Sequence, residues 1–163
     1  MPLEIERRFL IKDGRLAPPE VAIEQRFIVQ TYLSSEQGVV ERIRYSTDAF
    51  SLKEYTHTLK REVSPGINDE TEVVITEEEY GKLLHRADRS LNPIYKTRYT
   101  FEWAGLVWEY DTFVGFTKKT RGLKILEVEL ESLNTSLSFP PFLEVEREVT
   151  GERMYSNRAL AED

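Results

Sequence analysis

The sequence predicts a mainly β protein of the α+β class, built from antiparallel strands with a few short helices. Most of the chain runs as short alternating apolar and polar segments separated by turn residues, the pattern of half-buried antiparallel strands. Two tight-turn pairs, Pro65-Gly66 and Ala104-Gly105, fall between such segments, where hairpin turns are needed. Only two stretches show the 3.6-residue spacing of a helix.

Strands are expected near 2–11, 23–33, 39–46, 53–61, 68–75, 94–103, 106–113 and 123–131, with a short ninth extended piece near 143–149. The clearest hairpin is the one in which Trp103 and Leu106 flank Ala104-Gly105. Thr76-Glu77-Glu78-Glu79 forms a capping box, in which the threonine hydroxyl and the glutamate three residues later each cap the other's backbone N–H. Tyr80, Leu83, Leu84 and Ala87 then share one helix face, and Asn92-Pro93 lies beyond its end. A second helix is expected from Glu152 to Ala161, with Met154, Tyr155, Ala159 and Leu160 as its apolar residues. Many short strands with few helices fit a sandwich or a barrel, and composition does not choose between them. No repeat, low-complexity stretch or linker divides the chain, so residues 1–163 are expected to form a single domain.

The chain of 163 residues matches one domain on the prior of roughly 150 residues each. Hydrophobic residues make up 40% of it, enough for a core, but the charged fraction of 31% exceeds the usual ~25%. The surplus goes either to a solvated surface or to an internal charged site. With no cysteine, disulfides, thiolate metal sites and thiolate nucleophiles are excluded. The opening Met1-Pro2-Leu3-Glu4-Ile5-Glu6 lacks the order of a signal peptide, and no apolar run approaches the ~18 residues of a membrane span. A cytoplasmic protein without membrane association is expected. The net charge of -7 argues against a nucleic-acid surface, yet leaves room for a small basic site that takes an anion.

Residues i and i+2 of a strand share a face. Glu4, Glu6 and Arg8 therefore point one way while Ile5 and Phe9 point the other. The same parity groups Arg42 with Arg44, Glu70 with Glu72, Lys96 with Arg98, Glu109 with Asp111, Glu127 with Glu129, and Thr56 and Thr58 with Lys60. A wet sheet face is the ordinary explanation for any one of these, and cross-strand charge pairs contribute only ~0.2–1 kcal/mol. Clustering by sign is less ordinary, because like charges two residues apart gain nothing structurally. Acidic pairs suit a hard divalent cation bound through oxygen; basic pairs suit a phosphate chain.

Other site classes are weak. Gly115-Phe116-Thr117-Lys118-Lys119-Thr120 lacks the first glycine and the spacing of a P-loop and reads as a basic loop. His57 and His85 are the only histidines, too few for a histidine zinc site or a hydrolytic triad. His57 has the apolar parity of its strand and His85 lies on the first helix. Paired carboxylates also occur in glycosidases, but the basic residues on matching faces favour a polyanion.

Glu4-Ile5-Glu6-Arg7-Arg8-Phe9-Leu10 resembles the first strand of the CYTH superfamily, the triphosphate tunnel metalloenzymes, whose signature is Glu-x-Glu-x-Lys. The resemblance continues in order through Glu41-Arg42-Ile43-Arg44, Glu54-Tyr55-Thr56-His57-Thr58-Leu59-Lys60, Asp69-Glu70-Thr71-Glu72, Tyr95-Lys96-Thr97-Arg98-Tyr99, Trp108-Glu109-Tyr110-Asp111 and Leu126-Glu127-Val128-Glu129. It closes on Glu148-Val149-Thr150 and Tyr155-Ser156-Asn157. The resemblance implies a closed eight-stranded antiparallel β-barrel forming a tunnel. The implied activity is metal-dependent hydrolysis of a short polyphosphate, inorganic tripolyphosphate first, by in-line attack of a metal-activated water. Glu4 and Glu6, with Glu129 and Glu127 from the far wall, would bind Mg²⁺ or Mn²⁺. Arg8, Arg42, Arg44, Lys60, Lys96 and Arg98 would hold phosphates, and Arg8, Lys60, Glu70, Glu72 and Asp111 would serve catalysis by positioning metal, water or basic groups.

Two departures stand out. Position 8 carries arginine where the family usually has lysine, exchanging a titratable point charge for a permanent planar fork. The 15 residues between Arg44 and Lys60 make a long hairpin and leave Lys53 as a rival to Lys60, which fits the pattern better. The alternatives within the resemblance are a class IV adenylate cyclase and a thiamine or nucleoside triphosphatase. No base-reading feature supports either one, and Trp103 and Trp108 read as core. A non-catalytic polyphosphate- or nucleotide-binding module is the alternative outside enzymes. The sequence leaves the oligomeric state open, a homodimer included.

Overall fold

The computed structural model describes residues 3–15, 17–115 and 117–162. Position 2 of the expected first strand and Phe116 of the basic loop lie outside the described residues. The strands are β1 (Leu3–Gly14), β2 (Ile23–Tyr32), β3 (Val40–Asp48), β4 (Lys53–Ser64), β5 (Ile67–Ile75), β6 (Ile94–Trp103), β7 (Leu106–Phe113), β8 (Lys124–Glu129) and β9 (Leu143–Glu148). All nine expected extended segments are present. The register follows the turns. Ala104 and Gly105 both take positive φ, 51° and 76°, as a two-residue type I′ hairpin demands. Gly66 has φ 80°, and a Cβ there would stand 2.9 Å from Leu133 and Thr150 side-chain atoms and 3.0 Å from the Glu6 carbonyl. Only glycine fits that turn.

The strand order is β5-β4-β3-β2-β6-β7-β8-β1-β9, and β1 also pairs with β5. All pairings are antiparallel, so β1 to β8 close into a barrel and β9 is an extra strand outside it. The closing seam is short. Leu3, Ile5 and the residue between them pair with β5, whereas β4 and β5 share nine paired positions. Past the seam, the same edge of β1 goes to β9 from Phe9 onward. The backbone between them is held by Glu6 N–H donating to the Gly66 carbonyl at 2.9 Å and Arg8 N–H donating to Thr150 Oγ1 at 2.9 Å.

Two apolar clusters support this wall. One covers the outside of β1, β7 and β8: Phe9, Trp108, Leu126 and Val128 are sealed by Phe142 and Leu143, with Phe139 edge-on to Phe9 at 4.9 Å. Trp103 and Trp108 both belong to this packing, and the Trp108 indole N–H donates to the Trp103 carbonyl at 2.9 Å. The other cluster lies on the inward parity. Leu10, Tyr32, Ile94, Phe113 and Ile125 meet Val149, Leu160 and Ala161. It fills part of the bore at the end where the C-terminal residues dock.

Helix α1 (Glu77–Leu83) starts as expected, the Thr76 hydroxyl accepting from Glu79 N–H, and continues as a 3₁₀ turn over Leu84–Arg86. The second expected helix is corrected to two pieces, a 3₁₀ turn over Arg153–Tyr155 and helix α2 (Asn157–Ala161). Ser156 separates them: extended at ψ 145°, it caps α2 by accepting from Ala159 N–H, the alternative serine offers a helix interior. Met154, expected on an apolar face, is 64% exposed.

Candidate active site

Strand alternation and register bring the charged faces together inside the barrel. Arg8 is paired with Glu127 and Glu6 with Glu129 across β1 and β8; Lys60 faces Glu70 across β4 and β5; Arg98 faces Asp111 across β6 and β7. These walls enclose a cavity of about 1020 Å³, lined by Glu4, Glu6, Arg8, Arg42, Arg44, Lys60, Glu70, Glu72, Arg98, Glu127 and Glu129. Eleven of the site residues expected from sequence thus converge on one space. Lys96 and Asp111 do not line it.

On the acidic side the Lys60 ammonium lies 2.9 Å from Glu4, 3.5 Å from Glu6 and 3.6 Å from Glu70. Lys53 is on the other parity, its ammonium 5.8 Å from the centre of the Tyr45 ring, so Lys60 is the lysine of the bore. Burial raises the Glu4 carboxyl above its ordinary value against the pull of Lys60, with Glu70 adding to the rise. Glu6 is pushed up to about 7 by burial and by the neighbouring Glu127, with Lys60 opposing. Glu72 accepts a hydrogen bond from the Thr58 hydroxyl at 2.8 Å.

The basic side is arranged differently. Arg98 forks onto Asp111 with Nε and Nη2 at 2.8 and 2.9 Å and reaches Glu109 at 2.6 Å and Glu127 at 3.9 Å. Arg8 Nε is 3.2 Å from Glu127. Burial would raise the Glu127 carboxyl, but Arg8 and Arg98 outweigh it and hold the group down at about 2. Among the described residues Arg44 makes one hydrogen bond, donating from Nε to Gln30 Oε1 at 2.5 Å. Its pKa is lowered to about 10 by burial and by the positive charges of Arg42 and Arg98. Arg42 is 7% exposed, and among the described residues it has no hydrogen-bond or ion-pair partner. Its Nε is fully buried and unsatisfied, as is Nη2 of Arg8. Unpaired buried charge costs several kcal/mol, so this side is built to receive an anion.

Lys96, expected from sequence to hold phosphate, is placed differently from the other basic residues. Its side chain is 0% exposed and lies 2.8 Å from Asp111, itself 1% exposed. Asp111 holds both Lys96 and Arg98. Glu127, expected as a metal ligand, is occupied by two arginines.

The carboxylates were tested as cation ligands. Among the described residues no group of three or more His, Asp or Glu stands ready to close on a metal ion. The donor chemistry still fits a hard cation. Glu4 Oε1 and Glu70 Oε2 are buried without a hydrogen bond, and with Glu6 they gather around the single positive charge of Lys60. Glu129 is exposed at the rim, opposite Glu6 in register.

Sequence reasoning missed Gln30, fully buried behind Arg44, and Tyr32, which lines the cavity. Their strand face carries Arg26, Ile28, Gln30 and Tyr32, a mixture with no charge signature. Asn68, buried opposite Glu4, was missed for the same reason. His57, on the apolar parity of its strand, is on the outer face 2.6 Å from Glu41.

A closed antiparallel barrel thus surrounds the cavity with opposed basic and acidic walls. No protein-family model matches the chain. It is 39% identical over 70 residues to an inorganic triphosphatase of Acetivibrio thermocellus, a match covering 43% of this chain and 42% of that protein. The chain thus spans about two fifths of the length of the curated relative it matches. Among solved structures it is similar to the inorganic triphosphatase NE1496 (28% identity, TM-score 0.60), over 100% of this chain and 97% of that one. The PH1819 protein of Pyrococcus horikoshii shares the fold at 18% identity and TM-score 0.59, over 80% of each chain. These matches support the resemblance to the CYTH, triphosphate-tunnel fold.

Proposed function

We propose that the protein is a metal-dependent triphosphatase that splits inorganic tripolyphosphate into pyrophosphate and phosphate, and that residues 1–163 act as one domain. The observation that carries this reading is Arg42: a buried guanidinium with no hydrogen-bond or ion-pair partner among the described residues, its Nε unsatisfied, lining the same cavity as Arg44 and Arg98. A phosphate chain supplies the missing charge, and arginine matches its oxygens bidentately. The names of the two triphosphatase relatives support the choice of substrate.

Arg8, Arg42 and Arg44 would grip the chain's phosphates. Arg98, locked by Asp111, would hold a fixed position over the reacting phosphoryl group, where preorganised charge lowers the barrier most. Lys96 supports Asp111 from behind and is assigned no contact with substrate. Lys60 would neutralise charge beside the carboxylates, and Glu70 would keep it aimed. Glu4, Glu6 and Glu129 would hold Mg²⁺ or Mn²⁺, and when bound the cation supplies charge neutralisation at phosphate oxygens and a more acidic water. Among the described residues no helix is long and apolar enough to cross a membrane.

The test is product analysis. Purified protein with Mg²⁺ or Mn²⁺ is given tripolyphosphate, ATP or thiamine triphosphate, and phosphate, pyrophosphate and cyclic nucleotide are followed. Fastest release of phosphate and pyrophosphate from tripolyphosphate is expected. Cyclic nucleotide from ATP would reassign the protein as a cyclase, and tight binding without turnover would make it a binding module.

A further inference from the structure

A chain of three side chains runs from the cavity wall into the barrel: Arg44, Gln30 and Tyr32. Gln30 is 0% exposed and both ends of its amide are used. Arg44 Nε approaches one end at 2.5 Å and Tyr32 Oη the other at 2.5 Å. The polarity of this chain is forced. A guanidinium Nε–H only donates, so the amide oxygen faces Arg44. The amide nitrogen then faces Tyr32 and donates to its oxygen, because an NH₂ group has nothing to accept with. The Tyr32 hydroxyl proton must therefore point away from Gln30. Among the described residues no acceptor takes it, although Tyr32 is only 3% exposed. Tyr32 lines the cavity and lies beside Arg42 across β2 and β3.

We propose that Tyr32 is a further substrate-binding residue, donating its hydroxyl proton to a phosphate oxygen of the bound chain, and that Gln30 is the positioning residue that fixes this direction. The proposal rests on the reading of the cavity as a polyphosphate site. Gln30 also does for Arg44 what a carboxylate could not: it orients the guanidinium without cancelling its charge. Arg98 is held by Asp111 and Glu109 and Arg8 by Glu127, whereas Arg44 is held by a neutral group and keeps its full charge for the ligand. The buried hydroxyl and the buried amide are thereby explained together, since an unsatisfied polar group there would otherwise be a net cost.

One substitution reverses the whole relay. In Gln30→Glu the carboxylate pairs with Arg44 and accepts the Tyr32 proton, so the charge and the donor are withdrawn from the cavity at once. Gln30→Met removes the direction but leaves the Arg44 charge in place. Calorimetric titration of tripolyphosphate into the full chain, with thermal melting of each variant, separates the possibilities. Tyr32→Phe is expected to weaken binding roughly tenfold, as for a hydrogen bond to a charged group, and to raise KM more than it lowers kcat. Gln30→Glu is expected to bind more weakly than Gln30→Met while melting higher. A merely structural glutamine predicts that affinity follows melting temperature, with Gln30→Met the worse on both counts; that order, or wild-type affinity in Tyr32→Phe, overturns the proposal. Failure of wild-type protein to bind tripolyphosphate would instead sink the reading of the cavity on which it rests.

Discussion

Arg98 and Asp111 are directly paired across β6 and β7, and the guanidinium forks onto the carboxylate at 2.8 and 2.9 Å inside the barrel wall. Lys96 approaches the same carboxylate at 2.8 Å, so one buried anion anchors two buried cations. Removing it takes from Lys96 its close ion-pair partner and leaves Arg98 with Glu109 and, farther off, Glu127. Asp111→Ala is expected to destabilise the fold by ~3–5 kcal/mol, the cost of breaking a buried ion pair from one side. Urea unfolding of the metal-free protein measures it. A loss within error of zero would mean that water reaches these cations when the carboxylate is gone.

Arg42 predicts the opposite balance. Arg42→Ala is expected to weaken tripolyphosphate binding by ~1.5–3 kcal/mol, the range for hydrogen bonds to charged groups, with no loss of stability in the absence of ligand. Arg44→Ala should cost a similar amount of affinity. Arg98→Ala should cost both affinity and stability, since it also strips Asp111 of one of its two cationic partners. Calorimetry and denaturation on the three variants check the contrast; wild-type affinity in all of them would mean the arginines face water rather than ligand.

Glu6 titrates at about 7 in the fold against an ordinary 4.5, chiefly because it is buried and secondarily because Glu127 repels it. A carboxyl raised in this way favours folding fully below pH 4.5, and the contribution is lost as pH rises through 7. Metal-free protein should therefore lose stability between pH 5 and 8 in part through Glu6, and Glu6→Gln should flatten that decline. The same substitution should lower metal-dependent turnover at least tenfold, about 1.4 kcal/mol in the barrier. Unchanged activity at limiting Mg²⁺ or Mn²⁺ would remove Glu6 from the metal site.

Arg8 and Glu127 define the acid limb. Burial opposes ionisation of Glu127, but Arg8 and then Arg98 hold it at about 2. A carboxyl depressed from 4.5 contributes stability that is present above pH 4.5 and lost as pH falls toward 2. Arg8→Ala should raise the pH at which acid unfolding begins, and should cost most of the activity. Arg8→Lys should retain substantial activity, with KM shifted more than kcat, because a planar ground-state contact is weakened. A gain in kcat with Arg8→Lys would instead show that a titratable group is wanted at this position.

The strands and their inward faces were legible because alternation has a strict period of two and charge is costly to bury at random. Glu4, Glu6, Arg42, Arg44 and Lys60 could each be assigned to a face on that basis alone. That the faces converge was not legible, since the sandwich and the barrel share the same local pattern and the closing contact is one short pairing of β1 with β5. Resemblance supplied the barrel. Depth within the bore was invisible too. Lys96 and Arg98 have the same parity, yet one is sealed against Asp111 and the other reaches the cavity. Neutral Gln30 and Tyr32 gave no signal, as a buried amide beside an arginine looks in sequence like any strand residue. The final helix was misjudged because Ser156 is compatible with a helical spacing but caps better than it propagates.

The short pairing of β1 with β5 is the narrowest seam of the barrel, and the site straddles it. Glu4 and Glu6 stand on one side; Lys60 and Glu70 stand on the other. Among the described residues fewer paired positions hold this seam than any other junction of the barrel wall, so amides of Leu3 to Ile5 should exchange with solvent before those of the β4–β5 ladder. Any ligand that grips both sides acts as a clasp: the wall tightens where it is filled, and filling and tightening become a single event.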